Sequence, residues 1–247
     1  MCGIAGFSLS KKSKINAQKL SAALLREIVI RGYDATGVGW TDPDGKVWYT
    51  KGDITAHEFI RDCIHQIHPD SKTVVLHTRY ATKGDPSVEG NNHPIIRPGI
   101  VGVHNGVISN DDEIFDILGA ERFAEVDSEA AFALLGESDL HPTESISLLD
   151  GRVALGWIET DTPHELHIAR WAGSPLAWGQ TSTGSFVFAS TLQLLTRAGK
   201  SAGLKFSLTQ DLSEGKYLRV KDGRVHDYLD IGAPFSIDQA YAELGGR

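Results

Sequence analysis

The chain has 247 residues, 41% of them hydrophobic, a formal net charge of -8 and two cysteines. That supplies a sizeable core for one large domain or two small ones, while the acidic, evenly mixed balance excludes a general nucleic-acid binder and a polybasic membrane-surface patch. Two cysteines make neither a disulfide framework nor a metal-ligand cluster, and no apolar stretch approaches the roughly 18 residues of a spanning helix.

Residues 3–9 read as a strand. Residues 17–30 read as a helix, with Leu20, Leu24 and Ile28 four apart and Gly32 as a stop signal. Val38 and Trp40, then Val47 and Tyr49, alternate on either side of Asp42-Pro43-Asp44-Gly45, the pattern of a hairpin. Phe59, Ile60, Cys63, Ile64 and Ile67 recur at helical spacing, which makes Cys63 a small apolar residue on a buried face. Thr73–Leu76 and Ile100–Val103 read as buried strands that lead into polar segments, and Val126–Leu135 as a helix. The last third is strand-rich: Val153–Glu159, Glu165–Arg170, Leu176–Gly179, Ser185–Ala189, Lys216–Val220 and Arg224–Tyr228. Short helices are expected at Leu192–Thr196 and Ile237–Leu244. No linker, repeat or low-complexity tract interrupts the chain. Many antiparallel strands with a few helices point to an α+β fold, sheets packed together and helices outside. The N-terminus has no basic region followed by an apolar run, so it does not read as a secretory signal; the expected place is the cytoplasm.

Four polar clusters break the apolar pattern. The first is Cys2-Gly3-Ile4-Ala5-Gly6. Once the initiator methionine is removed, Cys2 carries a thiol and a free α-amine on one residue. Their ordinary pKa values, roughly 8.5 and 7.7–8.0, both lie near neutrality, so the amine can take or relay the thiol's proton. The second cluster is Arg31-Gly32-Tyr33-Asp34. The third runs His77-Thr78-Arg79-Tyr80-Ala81-Thr82-Lys83-Gly84 and on to Asn91-Asn92-His93-Pro94. The fourth is His104-Asn105-Gly106-Val107-Ile108-Ser109-Asn110, with Val126-Asp127-Ser128-Glu129 following. Taken alone, Asn105-Gly106 reads as a tight hairpin turn, and a turn could also present hydrogen-bond donors. His77, His93 and His104 fit no standard zinc spacing and read as packed or supporting histidines.

Taken in order, these clusters resemble the class II glutamine amidotransferases, a family of N-terminal-nucleophile hydrolases, and most closely the glutaminase domain of glucosamine-6-phosphate synthase. Weaker echoes continue through Ser174-Pro175-Leu176, Phe188-Ala189-Ser190 and Leu212-Ser213-Glu214-Gly215. The resemblance implies a four-layer αββα sandwich of two antiparallel sheets, one domain over residues 2–247, and no metal or organic cofactor. It implies that Cys2 attacks the side-chain amide of glutamine and passes through a thioester, with its own amine as base and then acid. Asn105 and Gly106 would be the oxyanion donors. Arg79 would take the α-carboxylate, Asp127 the α-ammonium, and Thr82 and Tyr80 would help hold the substrate. Arg31 would support the N-terminal segment, with His77, His93 and His104 behind the site. Where the synthases commonly have His-Thr-Arg-Trp-Ala-Thr-His-Gly, this chain has Tyr80 for the Trp and Lys83 for the second His. The sequence shows no acceptor chemistry. The expected function is therefore ammonia production for a separate synthase subunit; the alternatives are a free-standing hydrolase of glutamine or another γ-glutamyl amide, and a non-catalytic glutamine sensor.

Overall fold

The computed structural model describes residues 1–232; the helix expected over Ile237–Leu244 lies outside the described residues. Gly-Ile-Ala-Gly-Phe-Ser forms strand β1 (Gly3–Ser8), and every one of its residues is buried. A strand buried on both faces belongs inside a sheet that is covered on both sides, and β1 lies there. The first sheet runs, in spatial order, β11 (Phe206–Asp211), β9 (Ala177–Thr181), β10 (Phe186–Ala189), β1, β4 (Thr73–Arg79), β2 (Ala35–Thr41) and β3 (Val47–Gly52). The second runs β13 (Arg224–Asp230), β12 (Lys216–Lys221), β8 (Glu165–Ala172), β7 (Gly151–Glu159), β6 (Ile100–Ile108) and β5 (Ile95–Arg97). Pairing is antiparallel throughout both sheets.

Three apolar layers hold the two sheets and their helices together. Between the sheets lie Ile4, Val75, Val103, Ile158, Ile168, Phe186, Phe188 and Leu218. Outside the first sheet, helices α1 (Ala17–Ile28), α2 (Ala56–Asp62) and α6 (Leu192–Ser201) bury Leu20, Leu24, Ile28, Phe59 and Leu195 against Phe7, Val74 and Leu76. Outside the second, α3 (Asp111–Leu118), α4 (Ser128–Glu137) and α5 (Pro142–Ser147) bury Ile114, Phe132, Leu134 and Ile146 against Val153, Leu155 and Trp157. This is the αββα sandwich. Each fully buried Leu, Ile or Phe contributes roughly 1.5–3 kcal/mol over exposure.

The helices start where local chemistry allows. Asn16 caps α1 by accepting from Lys19 N at 3.0 Å, Thr55 and Glu58 form a capping box on α2, and Thr191 caps α6. The helix through Cys63 is shorter than its apolar spacing suggests: α2 stops at Asp62, Cys63 ends it half-buried, and a single 3-10 turn, Ile64–Gln66, follows. Likewise α1 stops at Ile28 and passes into a 3-10 turn over Val29–Arg31. Strands β4 and β6 run further than expected, through His77-Thr78-Arg79 and His104-Asn105-Gly106, so the polar clusters lie within the sheets.

Candidate active site

The N-terminal end of β1, the C-terminal end of β4 and the start of β2 meet at one end of the first sheet, because Gly3 pairs with Thr78 and Ala35 with Arg79. Ser190 holds the head of β1 in place by accepting from Ile4 N at 2.9 Å. Facing this end from the second sheet is the middle of β6. A small pocket opens between them, lined by Cys2, Arg79, Tyr80, Thr82, Lys83, His93, His104, Gly106, Val126, Asp127 and Ser128. Its free volume is about 20 Å³, room for about one water, and Tyr80, Thr82 and Lys83 form one wall of it.

The Cys2 thiol meets the backbone of Tyr80, whose N–H donates to Sγ at 3.4 Å. Burial pushes this thiol up from its ordinary value, opposed by the Tyr80 backbone hydrogen bond, the positive chain terminus and Arg79, while Asp127 adds to the rise. Arg31 Nε donates to Cys2 O at 2.8 Å, so it grips the backbone of the nucleophile segment. The adjoining corner is tight: a Cβ on Gly32 would stand 2.3 Å from the Arg79 carbonyl carbon, and only glycine fits there. Asp34 completes the corner by accepting from Ala81 N at 2.7 Å.

Asn105 and Gly106 do not form a hairpin turn. They sit inside β6, opposite Ala154 and Val153 of β7. The register with β7, which runs unbroken from Ile100 to Ile108, overrides the local turn preference of an Asn-Gly pair. The glycine is required by close approach, since a Cβ there would lie 1.6 Å from Arg152 O. Asn105 is buried, and its Nδ2 has no hydrogen-bond partner. Asp127 stands at the N-terminus of α4, where Oδ2 accepts from Ile108 N at 2.6 Å. That bond ties α4 to the strand carrying Asn105. Thr82 and Tyr80 belong to the segment that covers the pocket, and Tyr80 is exposed at the surface.

Arg79 is buried, and its guanidinium is occupied by the chain around it. Nη1 donates to Asn92 Oδ1 at 2.8 Å; Nη2 donates to Lys83 O at 2.7 Å and Gly84 O at 2.8 Å. Lys83 fastens the same segment from its other side, with Nζ 2.7 Å from Asp111 Oδ2 at the start of α3, an oxygen shared with Arg122 Nη1 at 2.8 Å.

The three histidines form one buried group behind the pocket. His77 Nε2 lies 3.1 Å from His104 O and so bridges the two sheets. His93 stacks on His77 with ring centroids 4.0 Å apart. His104 Nδ1 lies 2.8 Å from Ser128 Oγ. Burial pushes His77 down to about 3 and lowers His93 and His104 as well, with Asp127 acting against the fall at His104. All three are neutral at physiological pH.

The comparisons with known proteins bear on this same region. A family model described as a glutamine amidotransferase domain matches residues 77–197. A glutamine–fructose-6-phosphate aminotransferase (isomerizing) from Corynebacterium efficiens is 31% identical across all of this chain, which covers 41% of that relative. Its counterpart from Acinetobacter baylyi is 31% identical over 79% of this chain and 32% of the relative. Among solved structures, a glutamine phosphoribosylpyrophosphate amidotransferase from B. subtilis superposes with a TM-score of 0.76 at 21% identity, covering 94% of this chain and 49% of that one. A glutamine aminotransferase class-II domain protein from Silicibacter pomeroyi superposes at 0.58 with 14% identity, covering 94% of this chain and all of that one. The chain carries a class II glutamine amidotransferase domain. It spans about a third to two fifths of the length of these curated relatives.

Within this amidotransferase domain, Cys2, Thr82, Tyr80, Arg79, His93, His104, Gly106 and Asp127 line one pocket. Arg31 touches the nucleophile segment without lining it, and His77 lies one ring deeper. Sequence reasoning missed Ser128, Asn92 and Asp34 as partners, although each lies in a polar cluster that it singled out. Asp111 and Arg122 gave no local signal, since their roles exist only through the contact with Lys83.

Proposed function

We propose that this domain hydrolyses the side-chain amide of glutamine to glutamate and ammonia. The observation that carries the reading is the convergence on one pocket of a second-position cysteine, a buried arginine, an acid at a helix start and a strand whose asparagine amide is unspent. Removal of Met1 frees the Cys2 amine, which takes the thiol proton as Sγ attacks the amide carbon. Asn105 Nδ2 and the Gly106 N–H receive the negative charge that develops on the amide oxygen, the usual device for a tetrahedral intermediate. The C–N bond breaks, the amine returns its proton to the leaving nitrogen, and ammonia departs. Water then attacks the thioester carbon, the C–S bond breaks, and glutamate and the thiol are restored. Arg79 faces the α-carboxylate and Asp127 the α-ammonium, with Thr82 and Tyr80 closing above them. Arg31 holds the backbone of Cys2, and His77 and His104 hold the two sheets and α4 in register.

The domain is read as a single unit over residues 2–247. Its ammonia goes to a synthase module, taken here as a separate subunit. This rests on the aminotransferase names of the relatives. A free-standing hydrolase of glutamine or another γ-glutamyl amide is the second reading. A free nucleophilic thiol suits the reducing cytoplasm. The test is the intact mass before and after treatment with 6-diazo-5-oxo-L-norleucine, alongside Cys2→Ala. Loss of Met1 and one adduct that requires Cys2 is the expected result. A processed chain that takes no adduct and releases no glutamate, with or without candidate synthases, overturns the reading.

A further inference from the structure

Three residues around the pocket keep buried polar atoms without partners: Asn105 at Nδ2, already assigned above, His77 at Nδ1 alone, and His93 at both ring nitrogens. Neither ring nitrogen of His93 has a hydrogen-bond partner, although the residue is only 4% exposed. An unmet buried polar group costs roughly 1–3 kcal/mol, so a ring with both nitrogens unmet is expensive to keep. The surroundings nonetheless hold it rigidly. His77 stacks on one face at 4.0 Å, and His77 is itself fixed to His104 O. Lys51 Nζ donates to the carbonyls on either side of it, Asn92 O at 2.9 Å and Pro94 O at 3.0 Å. Backbone packs directly behind it, because a Cβ on Gly37 would stand 2.0 Å from His93 O. A side chain fixed this firmly, with unspent polar atoms and a face on the pocket, is arranged for a ligand.

The position along the pocket says which part of the ligand. Two cations grip the chain on either side of His93, Arg79 through Nη1 to Asn92 Oδ1 at 2.8 Å and Lys51 through Nζ to Asn92 O and Pro94 O, whereas Asp127 is held at the other strand by Ile108 N. His93 therefore stands at the cationic end, where a carboxylate is received. While the covering segment lies closed, Arg79 is short of donors for that task. Three of its five N–H groups are spent on Asn92, Lys83 and Gly84. Both two-pronged edges of a guanidinium use Nη2, and Nη2 is fully occupied. With the covering segment in place, Arg79 offers single hydrogen bonds and no fork.

We propose that His93 donates a ring N–H to the α-carboxylate of the substrate and, with Arg79, sets the specificity for an α-amino acid amide. This deepens the glutaminase reading and rests on it. The neutral imidazole donates through one nitrogen, and no proton is transferred.

The test uses the full chain carrying Cys2→Ala, which binds without turnover. Calorimetry is run with L-glutamine and with 4-aminobutyramide, which keeps the amide and amine but lacks the carboxylate. Adding His93→Phe should weaken glutamine about 10- to 100-fold and leave 4-aminobutyramide within twofold; adding His93→Gln, which retains a donor, should recover most of the loss. Equal weakening of both ligands, or none, overturns the proposal while the glutaminase reading stands. Glutamine binding to neither the parent nor the variant brings down both. If His93→Phe does not fold, nitrogen-15 shifts of the histidine rings in the parent decide: a His93 ring shift with glutamine and none with 4-aminobutyramide supports the assignment, and its absence removes it.

Discussion

A buried amide with no partner destabilises a fold, and Asn105 Nδ2 is one. Truncating it should therefore separate activity from stability. Asn105→Ala is expected to lower kcat about 10²–10³-fold, as for loss of one oxyanion donor, with KM for glutamine changed little. Its melting temperature should stay within a few degrees of the parent, because an unmet group leaves with the side chain. Steady-state kinetics beside a thermal melt check both halves, and a kcat within threefold of the parent contradicts the role. At this scale much of the site was legible. Cys2, Arg79, Asp127 and Gly106 stand out because polar or very small residues at apolar-patterned positions need a reason to be there. The asparagine-glycine pair misled as a turn, because local preference is a weaker guide than the long pairing of its strand with β7. The unspent state of His93 and the occupied state of Arg79 were beyond reach, since both depend on how the segment from Tyr80 to Pro94 folds back on itself.

The covering segment behaves as a strap with two fastenings, the carbonyls of Lys83 and Gly84 on Arg79 inside and the Lys83 ammonium on Asp111 outside. Asp111 is well buried and serves both Lys83 and Arg122, so it is the element to alter. Asp111→Asn should speed tryptic cleavage after Lys83 severalfold, and a bound glutamine analogue should slow it again. Unchanged cleavage, followed by mass spectrometry, counts against the strap. A second fastening lies under α4, where Arg97 and Glu129 pair at 2.8 Å with both side chains 1% exposed, and Glu129 also accepts from Phe123 N and Ala124 N. Glu129→Ala leaves Arg97 with the Glu137 carboxylate and the Glu121 carbonyl and should cost about 3–5 kcal/mol in chemical denaturation; a loss under 1 kcal/mol refutes that weight. The element pattern was readable where apolar spacing is strong, as in β1, α1, β7 and β8. It failed at β11, which is mostly half-exposed, and at α3 and α5, which are only 8 and 6 residues long. It also cut β4 and β6 short, because their last residues are polar for the sake of the pocket.

For the whole molecule, three neutral histidines in the core tie stability to pH. Their folded-state pKa values lie below the ordinary 6.5 of the unfolded chain, with His77 near 3. Between those limits the unfolded state binds more protons, so stability is complete above about pH 6.5 and falls as pH drops. The slope is about 1.4 kcal/mol per pH unit for each histidine. Denaturation midpoints from pH 7.5 to 4.5 should show the decline, and His77→Gln should flatten it; a midpoint constant across that range rules out neutral burial of the group. The α+β class was legible from strand content and the αββα layering through the family resemblance, while the order of strands in space came only with the pairing. One consequence concerns the amino terminus. β1 is paired with β4 and β10, Gly3 has no room for a side chain beside Ile28 O, and Ile4 N is fixed to Ser190. The chain consequently has no slack at its head, and whatever precedes Cys2 becomes part of the proposed chemistry. On that mechanism an amino-terminal purification tag, or acetylation of the Cys2 amine, would yield a folded but silent protein.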